Sequence, residues 1–212
     1  MNFTLELGLF PTCSPLGRER KEKRKSALKR VIKYTINSLA KEENFMDSAE
    51  LLQKGNLMVI QVVDGFPETG WDIPGACGDW SVKDIIAHLS SYEHVTIDVL
   101  KTFQGEEPTS LILQFLNHLD EFNNAEVESR IYLTAQQVMD EYQDTQVQTT
   151  SLLMQIPAEI VRKAGTMPWY SKDCCLADFI NRLYEHTCEH CEQIAVFRQN
   201  ITPEIGGDAT AS

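Results

Sequence analysis

The stretch of sequence that decides the fold is Leu183-Tyr184-Glu185-His186-Thr187-Cys188-Glu189-His190-Cys191-Glu192-Gln193-Ile194, inside a longer run from Leu176 to Gln199. Side chains three and four residues apart share one face of an α-helix, and here such a set is formed by Phe179, Leu183, His186, His190, Ile194 and Phe197. A helix face that packs into a core is normally apolar throughout, whereas the two central positions of this face are histidines. Because His186 and His190 lie one turn apart, both can bind one metal ion, at roughly 2.0–2.1 Å per bond for zinc. The pair needs a third ligand from elsewhere in the chain.

Three other long amphipathic helices are predicted upstream. Each begins at a capping residue and ends at Pro or Gly, which interrupt helices. The predicted limits are Asp47 or Ser48 to Pro67, Ser81 to Gly105, and Thr134 to Pro157, and Asp173 is expected to cap the histidine-bearing helix. Residues 109–133 are less regular and predict a short helical turn at 122–127 rather than a full element. The chain is therefore predicted to be all-α, a four-helix bundle with a long crossover between its second and third helices.

The third ligand is sought on a facing helix, because metal sites in such bundles are built from side chains of facing helices. The histidines outside the last helix are His88, His94 and His118. His88 lies one or two positions from the apolar stripe of the second helix, His94 lies near its opposite side, and His118 falls in the crossover. Periodicity thus nominates His88, His186 and His190, a set that leaves coordination positions open and suits Zn, Ni, Cu or Fe. The alternative is that they are hydrogen-bonded core residues, the commoner role of a single histidine on a core face.

The chain has six cysteines, and two of them, Cys188 and Cys191, flank His190 in a C-x-x-C pattern. Zinc-knuckle and redox motifs of this kind lie in turns or at helix starts, whereas this one falls in mid-helix without a second copy. We interpret both as buried or half-buried thiols, with Cys191 close enough to the histidine stripe to be a spare ligand. Since no secretory signal is visible, reduced thiols and a cytoplasmic location are expected. Three tryptophans flank loops and are interpreted as lids over the core, with the alternative that one of them lines a ligand pocket: Trp71, Trp80 and Trp169.

Composition limits the class of protein. The 212-residue chain is 42% hydrophobic and 24% charged, which suits one globular domain with a real core. No apolar run approaches the roughly 20 residues that a membrane helix needs. The net charge of -12 argues against a general nucleic-acid binder, because phosphates would be repelled. We therefore expect a small-molecule substrate or ligand as the partner, and neither nucleic acid nor a membrane.

Charge is divided unevenly along the chain. Residues 1–45 hold 10 Lys/Arg and 5 Asp/Glu, a net charge of +5, whereas residues 46–212 hold 9 and 26, a net charge of -17. The first segment is predicted to be a basic, disordered leader. Because residues 41–46 back-translate to a purine-rich string like a ribosome-binding site just before ATG, our hypothesis places the true translation start at Met46. The bundle then spans residues 46–202, and residues 203–212 are expected to form a flexible tail.

Four segments carry a resemblance to a known family: Asp79-Trp80-Ser81-Val82-Lys83-Asp84-Ile85-Ile86-Ala87-His88-Leu89, Gly105-Glu106-Glu107-Pro108, Asp120-Glu121-Phe122-Asn123, and the stretch from Tyr184 to Ile194. In order and spacing they resemble the DinB-like superfamily. Its members include DinB proteins, the mycothiol- and bacillithiol-dependent transferases, and the ClbS/DfsB group. The resemblance covers residues 46–199, and its specificity comes from the four segments together, because each one is short.

The resemblance implies a DinB-type four-helix bundle, expected to be a homodimer. In the metal-binding branch it implies that His88, His186 and His190 hold a divalent transition metal such as Zn, Ni or Fe. Members with a known activity attach a low-molecular-weight thiol to an electrophile or isomerise with its help. The resemblance thus implies a metal-dependent thiol transferase or detoxifying enzyme of bacterial stress response, with no catalytic residue assigned.

Two alternatives remain open at this point. One is a non-catalytic protein of the ClbS/DfsB kind that sequesters a small molecule or a metal, although that branch lacks the pair formed by His186 and His190. The other is a purely structural bundle with buried histidines. Stoichiometric metal separates the structural bundle from the other two, and turnover of an electrophile with a thiol separates the enzyme from the sequestering protein.

Overall fold

The computed structural model describes residues 47–205, with side chains through Ile201, and in this part of the chain it contains seven α-helices, a 3₁₀ turn at Glu68–Gly70 and no β-strand. The helices are α1 (Ser48–Val63), α2 (Val82–Thr102), α3 (Ser110–Asn117), α4 (Leu119–Glu128), α5 (Ala135–Leu153), α6 (Ala158–Val161) and α7 (Leu176–Ile205). The all-α prediction is confirmed, and the four long helices are α1, α2, α5 and α7. Within residues 47–205 no helix combines the length and apolar character needed to cross a membrane.

The two ends of the chain test the predicted domain limits only in part. The basic leader at residues 1–45 and the start at Met46 lie outside the described residues. Helix α7 continues to Ile205, so that residues 203–205 of the predicted tail are helical. Residues 206–212 of that tail also lie outside the described residues.

Local capping explains where the long helices begin. Ser81 and Asp84 form a capping box, in which the Asp84 carboxylate accepts from the Ser81 backbone N–H at 2.9 Å. Thr134 and Gln137 make the same reciprocal pair at the start of α5. The expected cap at Asp173 is wrong, because α7 begins only at Leu176. There the carboxylate of Asp178 accepts from the Cys175 backbone N–H at 3.1 Å and occupies the first turn.

The crossover is more helical than the sequence pattern predicts. Instead of one short turn, residues 109–133 contain α3 and α4. Each of these helices is too short to show several turns of apolar periodicity, and their packing stabilises them instead. The rings of Phe115 and Phe122 are buried against each other at 5.7 Å, and Phe115 packs edge-on against Tyr92 of α2 at 5.1 Å.

Side-chain contacts define the direction of each long helix. Helices α2 and α5 are parallel, because residues further along α2 contact residues further along α5. The contacts, which include residues flanking the two helices, are Lys83 with the Ile131 carbonyl, His94 with Glu141, and Gln104 with Gln155. Helices α1 and α7 are also parallel, with Met58 against Tyr184 and Arg198 against the Val62 carbonyl. Since α2 and α7 run antiparallel, the bundle is up-down-down-up. Two parallel neighbours cannot be joined by a tight turn, which is why α2 and α5 need the long crossover.

Two clusters of buried apolar side chains fill the bundle. One contains Tyr92 of α2 and Leu183 of α7, and the other contains Ile85 of α2 and Ile194 of α7. Along both helices, the positions between these residues are the ones at which the predicted histidine ligands occur. The three histidines therefore lie at the junction of the two apolar clusters, deep in the bundle.

One carboxyl group is buried at the interface between α2 and α5. Glu93 is 2% exposed, and the Thr149 hydroxyl donates to its Oε2 at 2.9 Å. Burial disfavours the charged form and raises the pKa of Glu93 to about 7, although hydrogen bonds from Thr149 and Gln146 oppose the shift. The side chain is therefore ionised only above neutral pH.

Replacing Glu93 is expected to change the pH dependence of stability. A carboxyl whose pKa is higher in the folded state contributes stability below its ordinary pKa of 4.5, and loses it as the pH rises through about 7. Glu93→Gln can still accept from Thr149 but cannot ionise. In chelator-treated protein we expect it to raise the free energy of unfolding at pH 8 by roughly 1–3 kcal/mol, with little change at pH 5. Urea unfolding at both pH values measures this, and an equal change at both would contradict it.

Candidate metal centre

Helix α2 and helix α7 bring together the three histidines predicted as ligands. His88, His186 and His190 are 2%, 4% and 6% exposed, and one ring nitrogen of each lies within 4.8 Å of the others. The His186 Nε2 atom is the centre of the group, 3.1 Å from His88 Nε2 and 3.0 Å from His190 Nε2. The two other histidines of the chain lie elsewhere, each paired with a carboxylate: His94 with Glu141 and His118 with Glu121.

The two contacts among the three Nε2 atoms cannot both be hydrogen bonds. The Gln193 amide oxygen can only accept, so His190 Nδ1 donates to it at 2.8 Å, and His190 Nε2 carries a lone pair. His186 Nε2 can donate one proton to that lone pair. It then has no lone pair left for His88 Nε2, which lies 3.1 Å away. A shared cation, by contrast, satisfies three converging lone pairs at once, which fits this set of donors to a metal.

The spacing of the nitrogens also fits a small cation. Ligand nitrogens of a tetrahedral zinc ion are separated by about 3.3 Å, given bonds of roughly 2.0–2.1 Å. The closest Nε2 pairs here are separated by 3.0 and 3.1 Å, so only a slight expansion is needed. The His88 Nδ1 atom is buried and has no hydrogen-bond partner among residues 47–201, so no hydrogen bond from that atom opposes a small shift of the ring.

All three imidazoles are held in the neutral form, the one that binds metals. Burial lowers the pKa of His190 to about 4, despite the opposing hydrogen bond to Gln193. The pKa of His88 is lowered well below its ordinary value, first by burial and then by repulsion from His186 and His190. The pKa of His186 is lowered in the same direction by burial and by repulsion from His190. At neutral pH the centre is a set of uncharged nitrogen donors.

Aromatic rings contact the histidines from two sides. Tyr92 stacks on His186 with ring centroids 4.4 Å apart and an interplanar angle of 21°. The Trp80 ring, just before the start of α2, lies 4.9 Å from the ring of His88. This contact with a candidate ligand fits the alternative that one of the three tryptophans lines a ligand site.

Sequence reasoning missed one residue of this centre. Gln193 lies three positions after His190, so it is a neighbour on the same helix and its amide reaches the outer ring nitrogen at 2.8 Å. That spacing could have identified it, because ligating histidines usually donate their second N–H to an oxygen. Gln193 orients His190 so that Nε2 points at the other two imidazoles.

The cysteines of the C-x-x-C pattern are not among the ligand atoms. Among the described residues, the cluster of potential metal ligands contains the three histidines alone. Cys191 is buried in the apolar cluster with Ile194, and burial raises the pKa of its thiol to about 12. The half-buried Cys188 thiol contacts the Met58 sulfur at 3.9 Å. The prediction that both are packed thiols fits these contacts, and Cys191 does not serve as a spare ligand in this arrangement.

Comparison with known proteins adds one match. The sequence model described as the DinB superfamily matches residues 52–194, more than half of the chain. That interval contains the three histidines, Trp80 and Gln193. No curated protein and no solved structure matches the chain.

Acidification is expected to destabilise the metal-free protein. A histidine whose pKa is lower in the folded state keeps its contribution above the ordinary value of 6.5 and loses it as the pH falls through about 4. For His190 alone, the loss is about 3 kcal/mol. Urea unfolding between pH 7 and 4 measures the free energy of unfolding, and the Glu93→Gln protein is the background so that this carboxyl does not mask the pH dependence. In that background we expect the free energy to change less with pH when His190→Gln is added and by the same amount when His118→Gln is added. An equal pH dependence in all three proteins would contradict the assignment.

Removing the Gln193 amide is expected to weaken metal binding without removing a ligand. Gln193→Leu should lower zinc affinity 10- to 100-fold, the usual range for such supporting residues. Gln193→Glu should preserve the affinity, since a carboxylate also accepts from His190 Nδ1. Gln199→Leu, at an exposed position of the same helix, is the matched control. Competition against a chromogenic chelator measures all four proteins, and equal affinities for the two leucine variants would rule out this role.

Proposed function

The chain belongs to the DinB superfamily, and on that premise we propose that it binds a divalent transition metal, Zn, Ni or Fe, through His88, His186 and His190. We further propose that it uses this centre to transfer a low-molecular-weight thiol to small electrophiles. The observation that carries the proposal is the convergence of three neutral, buried Nε2 atoms on one point. A detoxifying role, a cytoplasmic location and a homodimeric assembly are parts of the same proposal.

The number and type of ligands favour a reactive centre. Three protein ligands leave at least one coordination position for an exogenous group, whereas structural zinc sites are closed by four. When bound, the cation would stabilise the thiol as its thiolate, the nucleophilic form, at neutral pH. Gln193 fixes the orientation of His190, and Tyr92 stacks against His186, so the ligands are held before substrate arrives.

The proposed reaction needs no oxidant or reductant. The thiol loses its proton to solvent, and the sulfur lone pair attacks an electrophilic carbon. A carbon–sulfur bond forms while the bond from that carbon to its leaving group breaks, and the leaving group departs with the electron pair. The chain contributes a dry environment, because the histidines are buried between two apolar clusters, and water is thereby kept from competing as nucleophile.

A second function is favoured by a specific observation. Within the described residues, the cluster around the histidines contains no carboxylate and no cysteine that could act as an acid, base or nucleophile. Such a centre also suits a non-catalytic protein that sequesters a metal or a small molecule. Metal content supports both functions, and only turnover distinguishes them.

Metal content is the first test of the proposal. Untagged protein purified without added metal is expected to contain about one Zn, Ni or Fe per chain by elemental mass spectrometry. The His186→Ala/His190→Ala variant should lose it, because one remaining imidazole cannot hold the ion. A His94→Ala/His118→Ala variant, which removes two histidines outside the site, should keep it. Absence of metal in the wild type, with no uptake of added Zn or Ni, would refute the proposal.

Turnover is the second test. Metal-loaded protein is mixed with cysteine, bacillithiol or mycothiol and a chromogenic aryl halide, and thioether formation is followed by absorbance. We expect at least one thiol to react faster than in the absence of protein, and the rate to disappear in the His186→Ala/His190→Ala variant. Full metal occupancy without turnover across a broad panel of electrophiles would favour sequestration.

A further inference from the structure

The buried position of the histidines raises the question of how a ligand reaches them. None of the three is more than 6% exposed. Toward the middle of the bundle, Tyr92 stacks on His186, and Phe115 packs behind Tyr92 at 5.1 Å. Tyr92 and Phe115 are 2% and 4% exposed, so this side is closed by side chains that have no direct path to solvent.

The opposite end of the centre is closed by a side chain of a different kind. Of the rings that contact the histidines in the described part of the chain, those of Tyr92 and Trp80, only the Trp80 ring is partly exposed. It lies 4.9 Å from the ring of His88 and packs at the edge of the second apolar cluster. Trp80 thus contacts a candidate ligand on one side and reaches solvent on the other.

The backbone around Trp80 is tightly fixed. Its carbonyl accepts backbone N–H groups of Gly75, Ala76 and Cys77 at 3.2, 2.9 and 3.2 Å, and its own N–H donates to the Cys77 carbonyl at 3.0 Å. The turn depends on Gly75, at a φ of 107°, a conformation that other residues rarely adopt. The next residue, Ser81, caps α2. The indole can therefore move by side-chain rotation without any helix unfolding.

The segment around Trp80 contains more acidic than basic residues. Residues 68–84 contain four Asp/Glu and one Lys, and that lysine, Lys83, is paired with Asp72. With four carboxylates and one lysine, this segment has a net charge of -3, so it does not attract anions. The face of an indole is apolar and flat, so a flat molecule packs against it better than a bulky one.

We propose that the Trp80 side chain is the gate to the histidine centre and that it favours flat ligands over bulky ones. The part of this proposal that concerns ligands of a bound metal rests on the proposed function. The part that concerns access to the three histidines does not require a metal. Trp80 is in this sense a specificity-determining residue, because it contacts His88 and sets the width of the entrance.

The first experiment compares a flat and a bulky thiol on cobalt-substituted protein. Thiophenol and tert-butylthiol are titrated while the sulfur-to-cobalt absorption band is followed. The wild type should favour thiophenol, and Trp80→Ala should reduce that preference at least tenfold, because the bulky thiol gains access. Trp80→Phe should give an intermediate value. The different acidities of the two thiols cancel, since each protein is tested with the same pair.

The matched control is Trp71→Ala. Trp71 lies in the same loop and is also half-buried, but its ring packs on Phe66 at 5.6 Å. Its removal should leave the thiol preference within twofold of the wild type. An unchanged preference in both Trp80→Ala and Trp80→Phe, or an equal change in Trp71→Ala, would overturn the gate.

The second experiment uses metal-free protein, so that failure of metal binding does not leave the gate untested. Diethyl pyrocarbonate acylates accessible neutral imidazoles, and peptide mass spectrometry measures the rate at His88, His186 and His190. We expect this rate to rise at least tenfold in Trp80→Ala, to rise less in Trp80→Phe and to stay unchanged in Trp71→Ala. Equal rates in all four proteins would refute the gate, whereas absent cobalt binding with a faster Trp80→Ala would refute only the metal function.

Discussion

The central constraint on this structure is that three imidazole nitrogens converge in the buried interior of the bundle. Burying an unsatisfied polar group is costly, and a histidine core is tolerated only if its nitrogens find partners. His190 Nδ1 finds one in Gln193, whereas the Nε2 atom of His186 lies 3.1 Å from that of His88 and 3.0 Å from that of His190. One Nε2–H proton cannot make both contacts into hydrogen bonds, whereas one shared cation can bind all three nitrogens. Burial supplies the neutral ligands, because it disfavours the protonated form of each ring.

The bundle topology makes this convergence possible. His88 meets the pair on α7 because α2 and α7 run antiparallel, and α2 has α5 as its parallel neighbour on another side. That parallel pairing requires the crossover, and the crossover in turn supports the centre. Phe115 of α3 packs on Tyr92, and Tyr92 stacks on His186, so the connecting segment holds a candidate ligand in place from behind.

Burial also explains two opposite pKa shifts on one helix. Glu93 and His88 both lie on α2, and desolvation is the first cause of the shift in each. It raises the pKa of the carboxyl and lowers that of the imidazole, because in both cases the neutral form is favoured. The histidine centre therefore carries little charge near pH 7, although the chain as a whole carries -12.

The sequence by itself determined the helical class, the four long helices and the three histidines, because periodicity records which residues share a helix face. The spacing of His186 and His190 already places two rings one turn apart, and the stripe of the second helix nominates His88. Tertiary structure decided the rest. The helices α3 and α4 form through packing on Tyr92 rather than through a long apolar period. The pairing of Gln193 with His190 is local and could have been read from their spacing on one helix. The exclusion of Cys191 and the contact of Trp80 with His88 depend on side-chain directions and on how separate elements pack, which periodicity along one chain does not record.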